Sequence, residues 1–215
     1  MKVALINGSP KTRGSSSEYL LRMINKLLYG FDEIIHIKIP LDNMNETIIN
    51  QLFEMDVWVF AFPTYYAGIP SHVLKSMEIL KKWNNRICKK IYIYSIVNCG
   101  FYCGLENKFA ISMIQNWCLQ SNFIFGQGVG VGCGGLLGKI TVQPIGKILE
   151  KKIKETIEIL AANISLMKKE NNLYVEANVP CFVYNKASKL VWNNMAKKNG
   201  LLIEDIGNKK VPFMK

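Results

Sequence analysis

The sequence contains no uninterrupted apolar run of bilayer-spanning length, because charged or polar residues break every candidate, and membrane insertion is not expected. A secretory leader is not expected either: Met1 and Lys2 lead directly into Val3-Ala4-Leu5-Ile6, too short for an h-region and without a small-residue cleavage site. A cytoplasmic location is expected. Histidine is scarce, with only His36 and His72, and no Ser or Cys nucleophile is arranged around either, so a hydrolytic triad has no support. The six cysteines (Cys88, Cys99, Cys103, Cys118, Cys133, Cys181) include no C-x-x-C pair. Cys99 and Cys103 are one residue wider and have no second Cys or His pair beside them, so no metal site is expected. In a cytoplasmic protein these thiols read as reduced core or turn residues. Internal repeats and low-complexity tracts are missing as well.

Acidic residues are few: 16 Asp and Glu against 27 Lys and Arg, a formal charge of +11. That balance favours anionic partners, and nucleic acid, acidic membrane and phosphorylated cofactors all qualify. The lysines are dispersed instead of forming one stripe, and no zinc-finger or RNP-type pattern occurs, so a nucleic-acid partner is not expected.

What is present is enough to fold: 215 residues, 49% hydrophobic and 20% charged, which fits one α/β core with an appended segment. Apolar and β-branched runs predict strands over 2–7, 33–39, 56–62, 90–97 and 122–131. Helical spacing predicts helices from Ser15 to the stop at Gly30, then over 46–53, 70–83, 105–120 and 147–169. Five strands alternating with helices imply a doubly wound parallel sheet covered on both faces, because right-handed crossovers lay each helix over the sheet. This core is expected over 1–170. An extension over 171–215 follows, turn-rich through Pro180 and then helical over 183–198 to Asn199-Gly200. That helix combines Leu190, Val191 and Trp192 with Lys186, Lys189, Lys197 and Lys198, and reads as an amphipathic element packing on its own core or on a partner subunit.

Three loops carry the chemistry. Asn7-Gly8-Ser9-Pro10-Lys11-Thr12-Arg13-Gly14-Ser15-Ser16-Ser17 lies between the first strand and the first helix. Glycines let backbone N–H groups converge, serines offer hydroxyls and the helix N-terminus supplies partial positive charge, so this composition fits a phosphate. It is not a P-loop, since the spacing of Gly8 and Gly14 fails and Ser15 stands where the lysine belongs. Phe62-Pro63-Thr64-Tyr65-Tyr66-Ala67-Gly68-Ile69-Pro70-Ser71 ends the third strand, and in a sheet ordered 2-1-3-4-5 it flanks the crevice where ligands bind. Tyr65 and Tyr66 offer flat surfaces to a planar ring there. Val97-Asn98-Cys99-Gly100-Phe101-Tyr102-Cys103-Gly104 ends the fourth strand on the same rim and can present backbone N–H groups.

A G-x-G-x-x-G match, Gly130-Val131-Gly132-Cys133-Gly134-Gly135, is rejected as a dinucleotide fingerprint. Residues 136–141 do not open a helix at once, and the nearest acidic residues, Glu150 and Glu155, lie inside a helix. These glycines are expected to shape a loop at the end of the fifth strand. His72, after Pro70-Ser71 at a helix start, reads as a solvated residue, with a proton-donating role left open.

Together, Asn7-Gly8-Ser9-Pro10, Ser15-Ser16-Ser17 and Pro63-Thr64-Tyr65-Tyr66-Ala67-Gly68-Ile69-Pro70 resemble the NADPH-dependent FMN reductase family of flavodoxin-like proteins, over residues 1–169. The resemblance implies a flavodoxin-like five-stranded sheet in the order 2-1-3-4-5, FMN as cofactor and NAD(P)H as electron donor. It implies phosphate contacts at Ser9, Lys11, Ser15, Ser16 and Ser17, ring contacts at Pro63, Thr64, Tyr65 and Tyr66, and contacts to the pyrimidine side at Asn98, Cys99 and Gly100. The implied activity passes hydride or electrons through flavin N5 to a small acceptor, such as a quinone, a nitro compound or a flavin, with no protein residue cast as catalytic. A homodimer is implied, as in many relatives. Related iron-sulfur flavoproteins carry a cysteine cluster between the second and third strands; residues 40–56 contain no cysteine, so no such centre is implied. The alternative is a flavodoxin-type electron carrier that docks to redox proteins. Such carriers are typically acidic, whereas this chain is basic.

Overall fold

The computed structural model describes residues 1–42, 44–137 and 145–201. Strand and helix alternate as β1 (Lys2–Asn7), α1 (Ser16–Asn25), β2 (Glu33–Lys38), α2 (Glu46–Glu54), β3 (Val57–Pro63), α3 (Ser71–Ile87), β4 (Tyr92–Asn98), α4 (Lys108–Gln120), β5 (Ile124–Val131), α5 (Ile145–Ser165), β6 (Leu173–Val175) and α6 (Cys181–Lys198). A 3-10 turn, Gly104–Asn107, leads into α4. Ser15 starts α1 as its N-cap, its hydroxyl accepting from the Glu18 N–H, and Asn45 does the same for α2 through Ile48.

All the strands pair in parallel, in the order β2-β1-β3-β4-β5-β6. Helices on both faces explain why β3 is an almost unbroken apolar run: all but Pro63 are buried. Trp58, Phe60 and Phe62 join Leu52 of α2, Val73 and Met77 of α3 and Ile111 of α4 in one cluster. The opposite face is covered by α1 and α5, which also touch each other. Burying tryptophan requires a partner for each indole N–H; Trp58 donates to the Leu52 carbonyl at 2.8 Å and Trp117 to that of Met77 at 2.9 Å.

The doubly wound class and the order of the first five strands are those expected, and a sixth strand extends the sheet. Residues 171–180 read as turns because Leu173-Tyr174-Val175 is too short to show a period of two. The free edge of β5 recruits this segment: Gly132 N–H donates to the Val175 carbonyl at 2.8 Å, and Gly128 N–H to Asn172 Oδ1 at 2.9 Å. The chain divides into two compact units, Met1–Asn178 and Val179–Lys215, a break that falls later than the one read at residue 170. The second unit contains α6, entered from Pro180 and ended at Asn199, with Gly200 at φ +73°. Residues 138–141 of the segment after the G-x-G-x-x-G match, and 202–215 of the extension, lie outside the described residues.

Candidate functional site

The chain turns back between β2 and β3, so the carboxyl ends of β1 and β3 lie side by side, with Asn7 paired to Ala61. This is the switch point at which a doubly wound sheet opens a crevice. Gly8 leaves β1 in close contact with α3 and β3. A Cβ there would sit 2.7 Å from Val73 Cγ2 and 3.0 Å from Phe62 Cβ, so only glycine lets the loop start so low. Gly8 N–H donates to the Ala61 carbonyl at 2.8 Å, and Ser9 N–H to Asn7 Oδ1 at 2.9 Å.

Two side chains from neighbouring elements hold the loop. His72, the second residue of α3, brings Nε2 within 3.1 Å of the Gly8 carbonyl; a carbonyl only accepts, so that nitrogen carries the proton. Burial pushes the imidazole pKa down, the nearby Lys38 charge pushes the same way, and the Gly8 bond opposes them. Lys38, the last residue of β2, donates from Nζ to the carbonyls of Lys11 at 2.6 Å and Thr12 at 3.3 Å. Neither contact was legible in the sequence, where His72 read as solvated with a proton-donating role left open. The only signal was positional, since β2 neighbours β1 and its end abuts the loop that leaves β1.

The serines are spoken for in different ways. Ser9 is buried and its Oγ accepts weakly from Lys11 N–H at 3.4 Å; Lys11 itself is exposed. Ser15 Oγ caps α1, Ser16 Oγ donates to the Gly134 carbonyl at 2.6 Å, and Ser17 Oγ accepts from Asn98 Nδ2 at 2.9 Å. Glu18 takes the N–H of Gly14, the residue before the N-cap, at 3.0 Å. Among the described residues, the N–H groups of Thr12, Arg13, Ser15, Ser16 and Ser17 donate to no protein acceptor. The loop therefore presents a row of backbone donors leading into a helix N-terminus, the arrangement that suits a phosphate.

Asn98 gathers the three loops. Its Nδ2 also donates to the Phe62 carbonyl at 3.1 Å, and its own carbonyl accepts from Thr64 N–H at 2.8 Å. Beyond Pro63 and Thr64, Tyr65 and Gly68 exchange both backbone hydrogen bonds, at 3.1 and 3.0 Å, closing a two-residue hairpin. Its tip, Tyr66 and Ala67, has φ of +49° and +60°, the left-handed pair that a type I′ turn demands, without the usual Asn-Gly. The Tyr65 ring is half exposed and that of Tyr66 fully exposed. Neither ring is packed away in the core.

Cys99 is buried, and burial pushes its thiol above the ordinary range. Asn107 Nδ2 donates to its sulfur at 3.5 Å and the thiol reaches the Cys103 carbonyl at 3.6 Å, so Cys99 is a structural thiol and not a poised nucleophile. Gly100 is exposed on the rim, with open space where a Cβ would stand. The glycines of the rejected fingerprint bring this turn against the end of β5. A Cβ on Gly132 would lie 2.0 Å from the Tyr102 carbonyl oxygen, and one on Gly134 would lie 2.7 Å from that of Cys99. Gly134 N–H donates to that Cys99 oxygen at 2.8 Å. These glycines serve close backbone packing and do not cradle a dinucleotide.

No family model and no curated protein matches the sequence. Solved structures do match it in three dimensions. An NADPH-quinone reductase from P. pentosaceus superposes with a TM-score of 0.55 at 12% identity, over 84% of this chain and 100% of that one. The fold is flavodoxin-like. An NADH:FMN oxidoreductase in its apo form superposes at 0.54 and 10% identity, over 78% of this chain and 89% of that one. A flavodoxin from Streptococcus pneumonia superposes at 0.52 and 12%, over 77% and 99% respectively. Flavodoxin-like sheets in reductases and carriers alike share this architecture, and function has to be read from the site.

Proposed function

We propose that this chain is an FMN-dependent oxidoreductase that accepts hydride from NAD(P)H and delivers electrons to a small acceptor, a quinone, a nitro compound or a flavin. The observation that carries this reading is the row of backbone donors from Thr12 to Ser17 at the switch point of a flavodoxin-like sheet. These groups fit a phosphate monoester: the donors without a protein acceptor lead into a helix N-terminus, Lys11 and Arg13 add positive charge, and Gly8 sets the floor. The chemistry that FMN supplies when bound there is hydride acceptance and onward electron transfer.

The chain's residues bind and orient. Loop 8–15 and the first turn of α1 take the phosphate, with Ser9, Lys11, Ser15, Ser16 and Ser17 lining it. Pro63, Thr64, Tyr65 and Tyr66 flank the ring, with the exposed Tyr65 and Tyr66 rings available to stack against it. Asn98, Cys99 and Gly100 form the third wall, with Gly100 exposed at the rim; the Cys99 N–H donates to the Val131 carbonyl at 3.0 Å and so holds the turn to β5. Chemistry of this kind needs no protein nucleophile, which agrees with the structural character of Cys99. We further propose a homodimer. No helix among the described residues is long and apolar enough to cross a membrane.

The visible spectrum of the purified protein tests the reading. Oxidised-flavin bands, released as FMN on denaturation, together with acceptor-dependent oxidation of NADH or NADPH, are the expected result. A colourless protein that takes up no added FMN refutes it, and reduction by a partner reductase but by neither nicotinamide replaces the enzyme with a carrier.

A further inference from the structure

Resting on that reading, we propose that Lys38 is a positioning residue for the phosphate of FMN: it turns the Thr12 and Arg13 N–H groups into the site without touching the phosphate itself.

The argument is one of peptide geometry. In a planar trans peptide the carbonyl of one residue and the N–H of the next point in opposite directions. Lys38 Nζ holds the carbonyls of Lys11 and Thr12, at 2.6 and 3.3 Å. It thereby sends the N–H groups of the next residues, Thr12 and Arg13, away from β2. Those are two of the five donors that have no protein acceptor among the described residues. The one ammonium sets two consecutive peptide planes, and a loop that is exposed from Lys11 to Gly14 has little packing to set them otherwise.

His72 does the corresponding work at the other end of the loop. Its bond to the Gly8 carbonyl turns the Ser9 N–H inward, where Asn7 Oδ1 takes it. The consequence differs at the two ends: the inward N–H is consumed by the protein beside His72 and left for a ligand beside Lys38. Lys38 also places a positive charge behind the donors, oriented by the carbonyls it holds. Because the contact is exposed, this charge effect weakens with salt, whereas the orientation of the peptide planes does not depend on charge alone.

The experiment compares FMN with riboflavin, which carries the same ring and no phosphate. Affinities are measured for the wild-type chain, Lys38→Met and Lys38→Arg by flavin fluorescence quenching. The expected result is about a tenfold loss of FMN affinity in Lys38→Met, about 1.4 kcal/mol, with riboflavin affinity unchanged and Lys38→Arg recovering most of the loss. An unchanged FMN affinity in Lys38→Met overturns the proposal. Equal losses for FMN and riboflavin also overturn it, because they mean general damage to the site. If the wild-type chain binds neither flavin, the functional reading fails, and inorganic phosphate decides the proposal separately. Phosphate-dependent amide shifts at Thr12 and Arg13 that disappear in Lys38→Met then support it, and shifts that persist or never arise refute it.

Discussion

The Ser16 hydroxyl donates to the Gly134 carbonyl at 2.6 Å, joining the first turn of α1 to the turn after β5. The two residues are separated by 118 positions in sequence. This bond closes the rim of the site on the side away from Lys38, and it leaves the Ser16 N–H available to a ligand. Ser16→Ala is therefore expected to act first on stability. Loss of one part-buried hydrogen bond costs about 1 kcal/mol, which for a chain of this size lowers Tm by about 2–4 °C. Thermal melts of the two proteins without ligand check it.

Gly132 and Gly100 belong to the same pair of packed turns and predict opposite outcomes. A Cβ on Gly132 meets the Tyr102 carbonyl oxygen at 2.0 Å and the Gly104 nitrogen at 2.8 Å, both rigid backbone atoms. Gly132→Ala is expected to cost about 2–3 kcal/mol as the turns are forced apart. Gly100→Ala, whose Cβ meets nothing within 4 Å, is expected to stay within about 0.5 kcal/mol of the wild type. Urea midpoints for both variants test the contrast.

The hairpin tip carries strain that packing does not repay. Tyr66 and Ala67 occupy left-handed φ, and the Tyr66 ring is fully exposed. Replacing the pair by Asn-Gly is expected to raise stability by about 1 kcal/mol. If the ring is kept for a planar ligand, the same variant binds flavin more weakly, a trade common at functional turns. Denaturation and flavin titration of one variant measure both effects.

His72 gives the stability a pH dependence of known sign. Burial, with the Lys38 charge, holds its pKa below the ordinary 6.5 in the folded chain. The unfolded chain therefore binds a proton on this ring at higher pH than the folded one does. The contribution of the neutral ring is complete above the unfolded value and is lost as pH falls through the folded one. Urea stability measured from about pH 7.5 down to about pH 5 is expected to fall more steeply for the wild type than for His72→Gln, which keeps a donor near Nε2 but cannot titrate. Equal slopes contradict the assignment.

Much of the architecture was legible along the chain. The apolar runs of β1 and β3 and the helical spacing of α1 and α3 are long enough for their periods to show, and the glycine, proline and serine between them mark the loops. Strand β6 was not legible. Three residues carry no period, and Leu173–Val175 becomes a strand because β5 offers a free edge. Within the site, the loops were readable from composition, but what each side chain does was not. Ser16 and Ser17 read as equivalent hydroxyls, and the fold sends one to Gly134 and the other to Asn98.

The sequence by itself determined the order of elements, the doubly wound class and the places where loops leave the strands, since these follow from local periods and from turn residues that act on their immediate neighbours. Tertiary structure decided which distant groups meet. Lys38 on Lys11 and Thr12, His72 on Gly8 and Gly132 against Tyr102 all depend on which strand lies beside which, and on helices brought over the sheet. The physical reason is that a hydrogen bond or a close backbone contact is set by position in space, and chain spacing alone does not encode it.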